Sequence, residues 1–263
     1  MLSTKEYVLI LGAGQTGISA AKFLKKNNFK IFDTRKLKEL SLEIQKNKLI
    51  SKNLILENEL DFKLISYAIC SPGFDLSHGL VKKLLKNKID IKSDIEIFLE
   101  NNNSDVILVS GTNGKTTVSL LLEKFISLKG LSVKAIGNLG RPVLDYVNFD
   151  KDYFVIEISS FHLEISNNLK SKLSLLLNIS VDHLDRHETI TKYKKAKLKI
   201  FNFLKSSGVG FYQKKSFPNL KKIKNIRNFS NINKLLIQKI INNKNILMSE
   251  INPRENKLPH RYE

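Results

Sequence analysis

A glycine-rich loop near the start of the chain has the residue types and the spacing of a phosphate-binding turn. Gly12-Ala13-Gly14-Gln15-Thr16-Gly17 matches G-x-G-x-x-G between an apolar run at 7–11 and an amphipathic run at 18–26. The glycines permit a tight turn, and backbone N–H groups at the start of a helix bind phosphate. Asp33 supplies the acidic residue expected about 20 residues further on, and Thr34 and Arg35 follow it. The loop is typical of NAD and FAD sites, but this trio can equally hold a ribose or a pyrimidine ring.

A second loop has a stronger phosphate-binding pattern. An apolar run at 106–109 leads into Gly111, Thr112, Asn113, Gly114, Lys115, Thr116 and Thr117, and a leucine-rich helix is predicted next. Main-chain N–H groups of such a loop cradle phosphates, the Lys115 ammonium offsets charge on a transferred phosphoryl group, and the Thr116 hydroxyl ligates Mg²⁺. Two residues stand between the glycines where the full pattern has four, and Val109 takes the place of the first glycine.

Carboxylate and imidazole groups follow two further predicted strands. Glu157 lies near the end of the run at 153–158, and His183 follows the run at 173–177. Next to a phosphate loop, such groups are candidate Mg²⁺ ligands or phosphate-positioning groups. The sequence does not support a zinc site, because no cysteine lies at ligand spacing from a histidine, and it has no nucleophile elbow. We interpret His78 and His187 as ordinary hydrogen-bonded loop residues.

Strands and helices alternate along the chain, which predicts an α/β fold with parallel sheets. A Rossmann-like unit is expected over residues 1–93, and a P-loop-like unit over 94–263. Within the second unit, further strands are predicted at 133–136, 153–158 and 173–177, and a lysine-rich helix at 190–204. Periodicity weakens beyond Ser206, so no element is predicted there.

The net charge of +19 is concentrated in one segment. Residues 189–249 contain 15 Lys and Arg and no Asp or Glu. The segment lacks aromatic residues at stacking intervals, so a solvated basic face or attraction of anionic small substrates explains it better than nucleic-acid binding. The chain has no apolar run long enough to span a bilayer. Its single cysteine, Cys70, cannot form an internal disulfide, so a cytoplasmic location is expected.

Several motifs together resemble the Mur ligase family. Three of them are the loop at 111–117, Glu157-x-Ser-Ser-Phe, and Asp182-His-Leu-Asp-Arg-His followed by Tyr193-Lys-Lys-Ala-Lys197. The first glycine loop, Asp33-Thr34-Arg35, Ser71-Pro72-Gly73, Ser93-Asp-Ile-Glu96 and Gly137-Asn-Leu-Gly140 resemble the branch of the family that adds D-glutamate. The similarity runs from Val8 to about Phe203 and resumes at 258–263.

The resemblance implies a monomeric ligase that uses ATP to join D-glutamate to UDP-N-acetylmuramoyl-L-alanine through an acyl phosphate. Mg²⁺ is the implied cofactor, and neither a membrane nor a nucleic acid is an expected partner. The first glycine loop then holds the UDP diphosphate instead of NAD. The implied UDP-sugar residues are Gly14, Gln15, Thr16, Asp33, Thr34, Arg35, Ser71, Gly73 and Asn138.

The resemblance also assigns the ATP site to residues 111–117. It implies adenine contacts by Asn228 and Asn231, and catalytic roles for Lys115, Glu157, His183 and Lys197. The implied metal ligands are Thr116, Glu157, His183 and Lys197. Lys197 can serve only as a carbamate, because an ammonium group cannot ligate a cation.

The chain departs from the family pattern at several points. Arg227 stands where the family has a motif histidine, and His162 stands where glutamine is usual. The stretch between Lys197 and Asn228 is short, so we expect some of the family's central strands to be missing there. We also expect the C-terminal domain that accepts D-glutamate to be absent, so that this chain binds the UDP-sugar but turns over poorly. The alternatives are a sibling Mur or folylpolyglutamate-type ligase and a catalytically silent nucleotide-binding protein.

Overall fold

The computed structural model describes residues 6–180, 184–218, 220 and 225–230. The described strands are β1 (Tyr7–Leu11), β2 (Phe29–Phe32), β3 (Ile65–Cys70), β4 (Ile91–Ser93), β5 (Asp105–Ser110), β6 (Val133–Gly137), β7 (Tyr153–Glu157), β8 (Ser171–Leu176), β9 (Leu204–Gln213) and β10 (Ile226–Phe229). The described helices are α1 (Gln15–Phe23), α2 (Leu42–Lys46), α3 (Lys48–Ser51), α4 (Gly79–Lys86), α5 (Asp94–Asn101), α6 (Lys115–Leu128), α7 (Ser160–Ile165), α8 (Leu184–His187) and α9 (Ile190–Leu198). None of these helices combines the length and the apolar character needed to cross a membrane.

The strands form two parallel sheets, which confirms the predicted α/β class. The first sheet has the order β2-β1-β3-β4. Within the described residues, the second has the order β10-β9-β8-β5-β7-β6. We call residues 6–93 the first unit and the described residues from 94 onward the second unit. In each sheet a central strand, β1 or β5, leads directly into a glycine-rich loop, so the two loops lie at carboxyl edges of parallel strands, where ligands of α/β sheets bind.

The sequence explains why β1 is central. All five residues of Tyr7–Leu11 are apolar and buried, as expected for a parallel strand covered on both faces. The chain then turns through Gly12, whose φ of +97° lies in the left-handed region. α1 packs against this turn so closely that a Cβ on Gly17 would lie 2.0 Å from the Gly12 carbonyl oxygen. Only glycine at position 17 permits that approach.

The second unit differs from its prediction between residues 190 and 229. α9 ends at Leu198, and a 3-10 turn over Lys199–Phe203 buries Ile200, Phe201 and Phe203 before β9 begins. β9 and β10 then extend the sheet in a stretch where no strand was predicted. The helix prediction to residue 204 was wrong because the lysine spacing continues a helical pattern, whereas the aromatic side chains must face the core.

Buried polar groups join the two units around α5. The Ser93 hydroxyl and the Glu96 carboxylate form a capping box at the start of this helix. The same carboxylate accepts hydrogen bonds from the backbone N–H groups of Asn167 and Asn168, both at 2.7 Å, and Ser93 Oγ lies 2.7 Å from Ser166 Oγ. One hydrophobic core contains residues of both units. The units are therefore held in a defined relative position.

Replacing Gly17 by alanine tests the close packing of α1 on the first loop. Because the new Cβ would overlap the Gly12 carbonyl, we expect Gly17→Ala to lower the free energy of unfolding by about 1 to 3 kcal/mol. Gly14→Ala is the matched control, since a Cβ there meets nothing within 4 Å, and we expect a change within about 0.5 kcal/mol. Urea denaturation of both variants makes the comparison. Equal losses in the two variants would contradict the packing argument.

Candidate functional site

A cleft of about 480 Å³ opens beside the first glycine loop. It is formed where β1, β2 and β3 end, and the segments after these strands supply its walls. The lining includes every residue predicted for the UDP-sugar site except Asn138: Gly14, Gln15, Thr16, Asp33, Thr34, Arg35, Ser71 and Gly73. Sequence reasoning did not assign the four other lining residues, Gly12, Pro72, Phe74 and Asp75.

Asp33 organises this cleft. Its carboxylate accepts a hydrogen bond from the Ala13 backbone N–H at 2.8 Å, which ties the end of β2 to the glycine loop. Arg35 Nε and Nη2 donate to its two oxygens at 2.9 and 3.0 Å. Burial alone would raise the pKa of Asp33, but the hydrogen bonds from Arg35 and Ala13 outweigh it and hold that pKa below its ordinary value. The Arg35 side chain is 53% exposed, so its outer face remains available to an anion.

The second glycine loop is held in a phosphate-binding shape by its own neighbours. Gly114 has a φ of +80° and caps α6, so the N-terminus of that helix faces the loop. Lys115 Nζ donates to the Thr112 carbonyl oxygen at 2.8 Å. The Asn178 side chain accepts from the Asn113 backbone N–H at 2.9 Å and donates to the Asn113 carbonyl at 2.8 Å. This two-way contact fixes the middle of the loop from the segment after β8.

Glu157 lies where the second loop meets the segment after β6. Its Oε2 accepts a hydrogen bond from the Thr116 hydroxyl at 2.8 Å, and its Oε1 accepts one from the Asn138 side-chain amide at 3.1 Å. The Asn138 backbone N–H also donates to the Glu157 carbonyl at 3.0 Å. Hydroxyl and carboxylate oxygens are the donors that Mg²⁺ prefers. Thr116 and Glu157 therefore carry the oxygen donors that would hold a Mg²⁺ ion, as predicted.

Lys197 lies buried under the second loop, with 2% of its surface exposed. Its Nζ is 3.1 Å from the Gly111 carbonyl oxygen and 4.8 Å from the centre of the Tyr193 ring. The Tyr193 hydroxyl is 3.1 Å from Thr112 Oγ1. Tyr193 and Lys197 are one helical turn apart on α9, so one face of that helix supports the loop from below.

A narrow passage of about 130 Å³ adjoins the first cleft. Gln15, Thr16 and Pro72 line both this passage and the first cleft, while Asn138 lines the passage and contacts Glu157. The passage thus extends from the first glycine loop to Asn138. The Asn138 side chain in turn contacts the predicted metal ligand Glu157.

Asp94 and His162 form a buried polar pair in the wall of this passage. His162 Nε2 lies 3.5 Å from Asp94 Oδ1, and its Nδ1 lies 2.7 Å from Ser159 Oγ. Burial raises the pKa of Asp94 and lowers the pKa of His162. Both shifts disfavour the charged pair, so the wall presents polar but weakly charged groups to a ligand.

Three predicted residues are not brought into this site by the described structure. Asn228 lies exposed on β10, separated from β5 by β9 and β8. His183 and Asn231 lie outside the described residues. Sequence reasoning in turn missed Asn178 and Tyr193 as supports of the loop. The only signal for Tyr193 was its place in a resembled motif, and the only signal for Asn178 was its place directly after the predicted strand at 173–177.

Two family models match the chain. The one described as "Mur ligase MurD-like, N-terminal domain" matches residues 6–93, and the one described as "Mur ligase middle domain" matches residues 109–258.

Two curated proteins of the same name are similar to this chain in sequence. The UDP-N-acetylmuramoylalanine–D-glutamate ligase of Coxiella burnetii (strain Dugway 5J108-111) is 35% identical over 206 residues, which cover 76% of this chain and 46% of that protein. The ligase of the same name from Buchnera aphidicola subsp. Schizaphis graminum is 40% identical over 203 residues, 74% of this chain and 44% of that protein. The chain therefore spans about half the length of the curated relatives it matches.

A solved structure shares the fold. The UDP-N-acetylmuramate:L-alanyl-gamma-D-glutamyl-meso-diaminopimelate ligase from Neisseria meningitides superposes with a TM-score of 0.52 at 14% identity, covering 87% of this chain and 79% of that one. At that identity the comparison supports the fold alone.

The two hydrogen bonds between the Asn178 side chain and the Asn113 backbone, called here the Asn178 clamp, predict a measurable effect on nucleotide binding. Asn178→Ala removes two hydrogen bonds of about 1 kcal/mol each that hold the loop in shape. We expect the variant to bind Mg²⁺·ADP about tenfold more weakly in calorimetric titrations. Asn87→Ala, which removes a side-chain hydrogen bond to the Lys83 carbonyl on α4, is the control and should bind as the wild type does. Equal affinities of wild type and Asn178→Ala would show that the loop needs no clamp.

Proposed function

Because this chain belongs to the Mur ligase family, we propose that it forms the two nucleotide-binding units of a ligase that adds D-glutamate to UDP-N-acetylmuramoyl-L-alanine. Residues 1–93 would bind the UDP-sugar, and residues 94–263 would bind ATP and Mg²⁺. The reaction would take place in the cytoplasm, as a step in the synthesis of a peptidoglycan precursor.

One observation carries this proposal: the passage beside the first cleft reaches Asn138, whose side-chain amide donates to Glu157. A UDP group held at the first loop by Thr34, Arg35 and the helix N-terminus would direct its sugar towards Asn138 through residues common to both spaces. The far end of the substrate, a carboxylate, would then arrive beside the γ-phosphate of ATP. A dinucleotide cofactor alone does not explain why the chain has a second phosphate-type loop.

Charge explains why the reaction needs the groups that surround Glu157. Attack of a substrate carboxylate on the γ-phosphate brings anions together, and the repulsion has to be offset. Lys115 can turn from the Thr112 carbonyl to the phosphate, since its side chain is flexible and its present acceptor is a main-chain oxygen. Mg²⁺ held by Thr116 and Glu157 would supply further positive charge when bound. The amine of D-glutamate would then attack the acyl phosphate, forming the amide and releasing phosphate.

Lys197 would contribute as a carbamate. A neutral lysine amine and CO₂ combine to a carbamate and a proton, which converts a cationic side chain into an anionic oxygen ligand. Its nitrogen lies under the phosphate loop beside the Gly111 carbonyl, and the side chain is buried. The resemblance to the family implies that His183 and the carbamate of Lys197 would together bind a second Mg²⁺.

Calorimetric titration with UDP-N-acetylmuramoyl-L-alanine tests the UDP-sugar site. We expect saturable binding by the wild type, no binding of NADH, and at least about tenfold weaker binding by Asp33→Ala and Arg35→Ala, since each loses a charged contact. Lys83→Ala, which breaks the exposed Lys83–Glu57 ion pair of the same unit, should bind normally. Failure of the folded wild-type chain to bind the UDP-sugar would refute the proposal and favour a silent nucleotide-binding protein.

A separate measurement tests the carbamate. After equilibration with ¹³C-bicarbonate, carbon-13 NMR of the wild type should show a carbamate carbonyl signal that is lost in Lys197→Arg. Lys199→Arg is the matched control, because Lys199 is two residues away and half-buried, and burial lowers its pKa. That variant should retain the signal. A signal that survives Lys197→Arg, or that is lost in Lys199→Arg instead, would assign the modification to another amine.

A further inference from the structure

Arg186 connects the second unit to the wall of the UDP-sugar cleft. It lies in α8, three residues after the predicted metal ligand His183. Its Nη1 donates to the Pro72 carbonyl oxygen at 2.8 Å, and its Nη2 donates to the Phe74 carbonyl at 2.7 Å. Pro72 and Phe74 line the first cleft. One guanidinium therefore holds both ends of the three-residue segment around Gly73.

The other side of Arg186 is attached to α7. Its guanidinium carbon lies 4.2 Å from the centre of the Phe161 ring, a distance typical of a cation–π contact. The neighbouring His187 ring stacks on the same Phe161, with ring centres 5.4 Å apart and planes at 17°. His187 Nε2 lies 2.9 Å from Ser160 Oγ, and Nδ1 lies 3.1 Å from Glu164 Oε1. The end of α8 is thus fixed to three residues of α7.

α7 in turn starts from the predicted metal site. Glu157 ends β7, Ser159 caps the helix, and Phe161 is four residues after Glu157. The backbone from Glu157 to Phe161, the Phe161–Arg186 contact and the two Arg186 hydrogen bonds together form a continuous path from the end of β7 to the carbonyls beside Gly73. A path of packed groups of this kind can carry a coupling between two sites when both sites bias the same element.

We propose that Arg186 is a positioning residue that couples occupancy of the UDP-sugar cleft to occupancy of the ATP and Mg²⁺ site. The inference rests on the proposed function. A UDP-sugar that contacts Ser71 and Gly73 fixes the carbonyls that Arg186 grips, and so orients α8, α7 and the segment that carries Glu157. Metal and nucleotide bound at Glu157 fix the same path from the other end. By thermodynamic reciprocity, each ligand must then tighten the other by the same factor.

Two binding constants measured with and without the second ligand test this inference. Calorimetry gives the dissociation constant of Mg²⁺·ADP, first without the second ligand and then at saturating UDP-N-acetylmuramoyl-L-alanine. Titration of the UDP-sugar with and without saturating Mg²⁺·ADP then checks reciprocity. For the wild type we expect at least about fivefold mutual tightening. In Arg186→Gln the factor should fall below about twofold, while binding of Mg²⁺·ADP alone stays unchanged. A role limited to stability would lower the unfolding temperature without changing this factor.

Three further variants test whether the coupling depends on the contacts of Arg186. Arg186→Lys keeps the charge but cannot span two carbonyls with a planar fork, so it should restore the coupling only in part. Phe161→Leu leaves both hydrogen bonds possible but removes the ring that joins Arg186 to α7, and should also reduce the coupling. Asn102→Ala is the matched control, because Asn102 likewise donates to two main-chain carbonyls, those of Val147 and Phe149. It should retain the wild-type factor. Thermal unfolding confirms that each variant is folded.

The outcomes separate this inference from the function on which it rests. Wild-type coupling in folded Arg186→Gln, or binding of both ligands by the wild type without mutual tightening, would overturn the role of Arg186 and leave the two binding sites in place. Failure of the wild type to bind the UDP-sugar would overturn the proposed function and the inference together. Loss of coupling in Arg186→Gln and Phe161→Leu, with retention in Asn102→Ala, would support it.

Discussion

The position of the Glu157 carboxylate is the constraint on which the rest of the site depends. The carboxylate accepts hydrogen bonds from Thr116 of the phosphate loop and from Asn138, which lines the passage. One side chain thus contacts residues of both binding regions. The backbone is adapted to this convergence. Gly137 has a φ of +97°, and a Cβ there would lie 2.4 Å from the Glu157 carbonyl oxygen. Glycine at that position lets the segment carrying Asn138 pass close enough to β7 for its amide to reach the carboxylate.

Phosphate binding requires cations that are available but do not block the site. Lys115 meets this requirement by donating to a main-chain carbonyl, that of Thr112. A hydrogen bond to a neutral carbonyl is weaker than one to a phosphate oxygen, so this contact can be exchanged when the anion arrives. Arg35 is arranged differently, because its guanidinium group donates hydrogen bonds to both carboxylate oxygens of Asp33. It offers an oriented donor face at the first loop instead of a mobile charge.

Local patterns predicted the parts of the structure that depend on neighbouring residues in sequence. The strand at 7–11, the two glycine loops and the helices after them follow from runs of apolar residues and from turn chemistry, and the structure shows all of them. β9 was missed because its first half, Leu204 to Gly208, is polar or small and shows no alternation. Arg186 and Asn178 could not be predicted as contacts, because each acts on carbonyl or amide groups distant in sequence, and any residue type supplies those groups.

The two ends of the interface between the units differ in their chemistry, and this difference determines where movement is possible. Around α5, the buried Glu96 carboxylate accepts from the Ser93 backbone N–H of the first unit and from two backbone amides of its own unit, and separating the units would leave a charge and a donor unsatisfied in the core. That end is therefore fixed. At the cleft, the contact is a half-buried guanidinium on two carbonyls that flank the exposed Gly73. Water can replace such a contact at modest cost. Adjustment to a ligand is thus possible at the cleft, where Arg186 can pass it on to α8 and α7, while the contacts around α5 stay fixed.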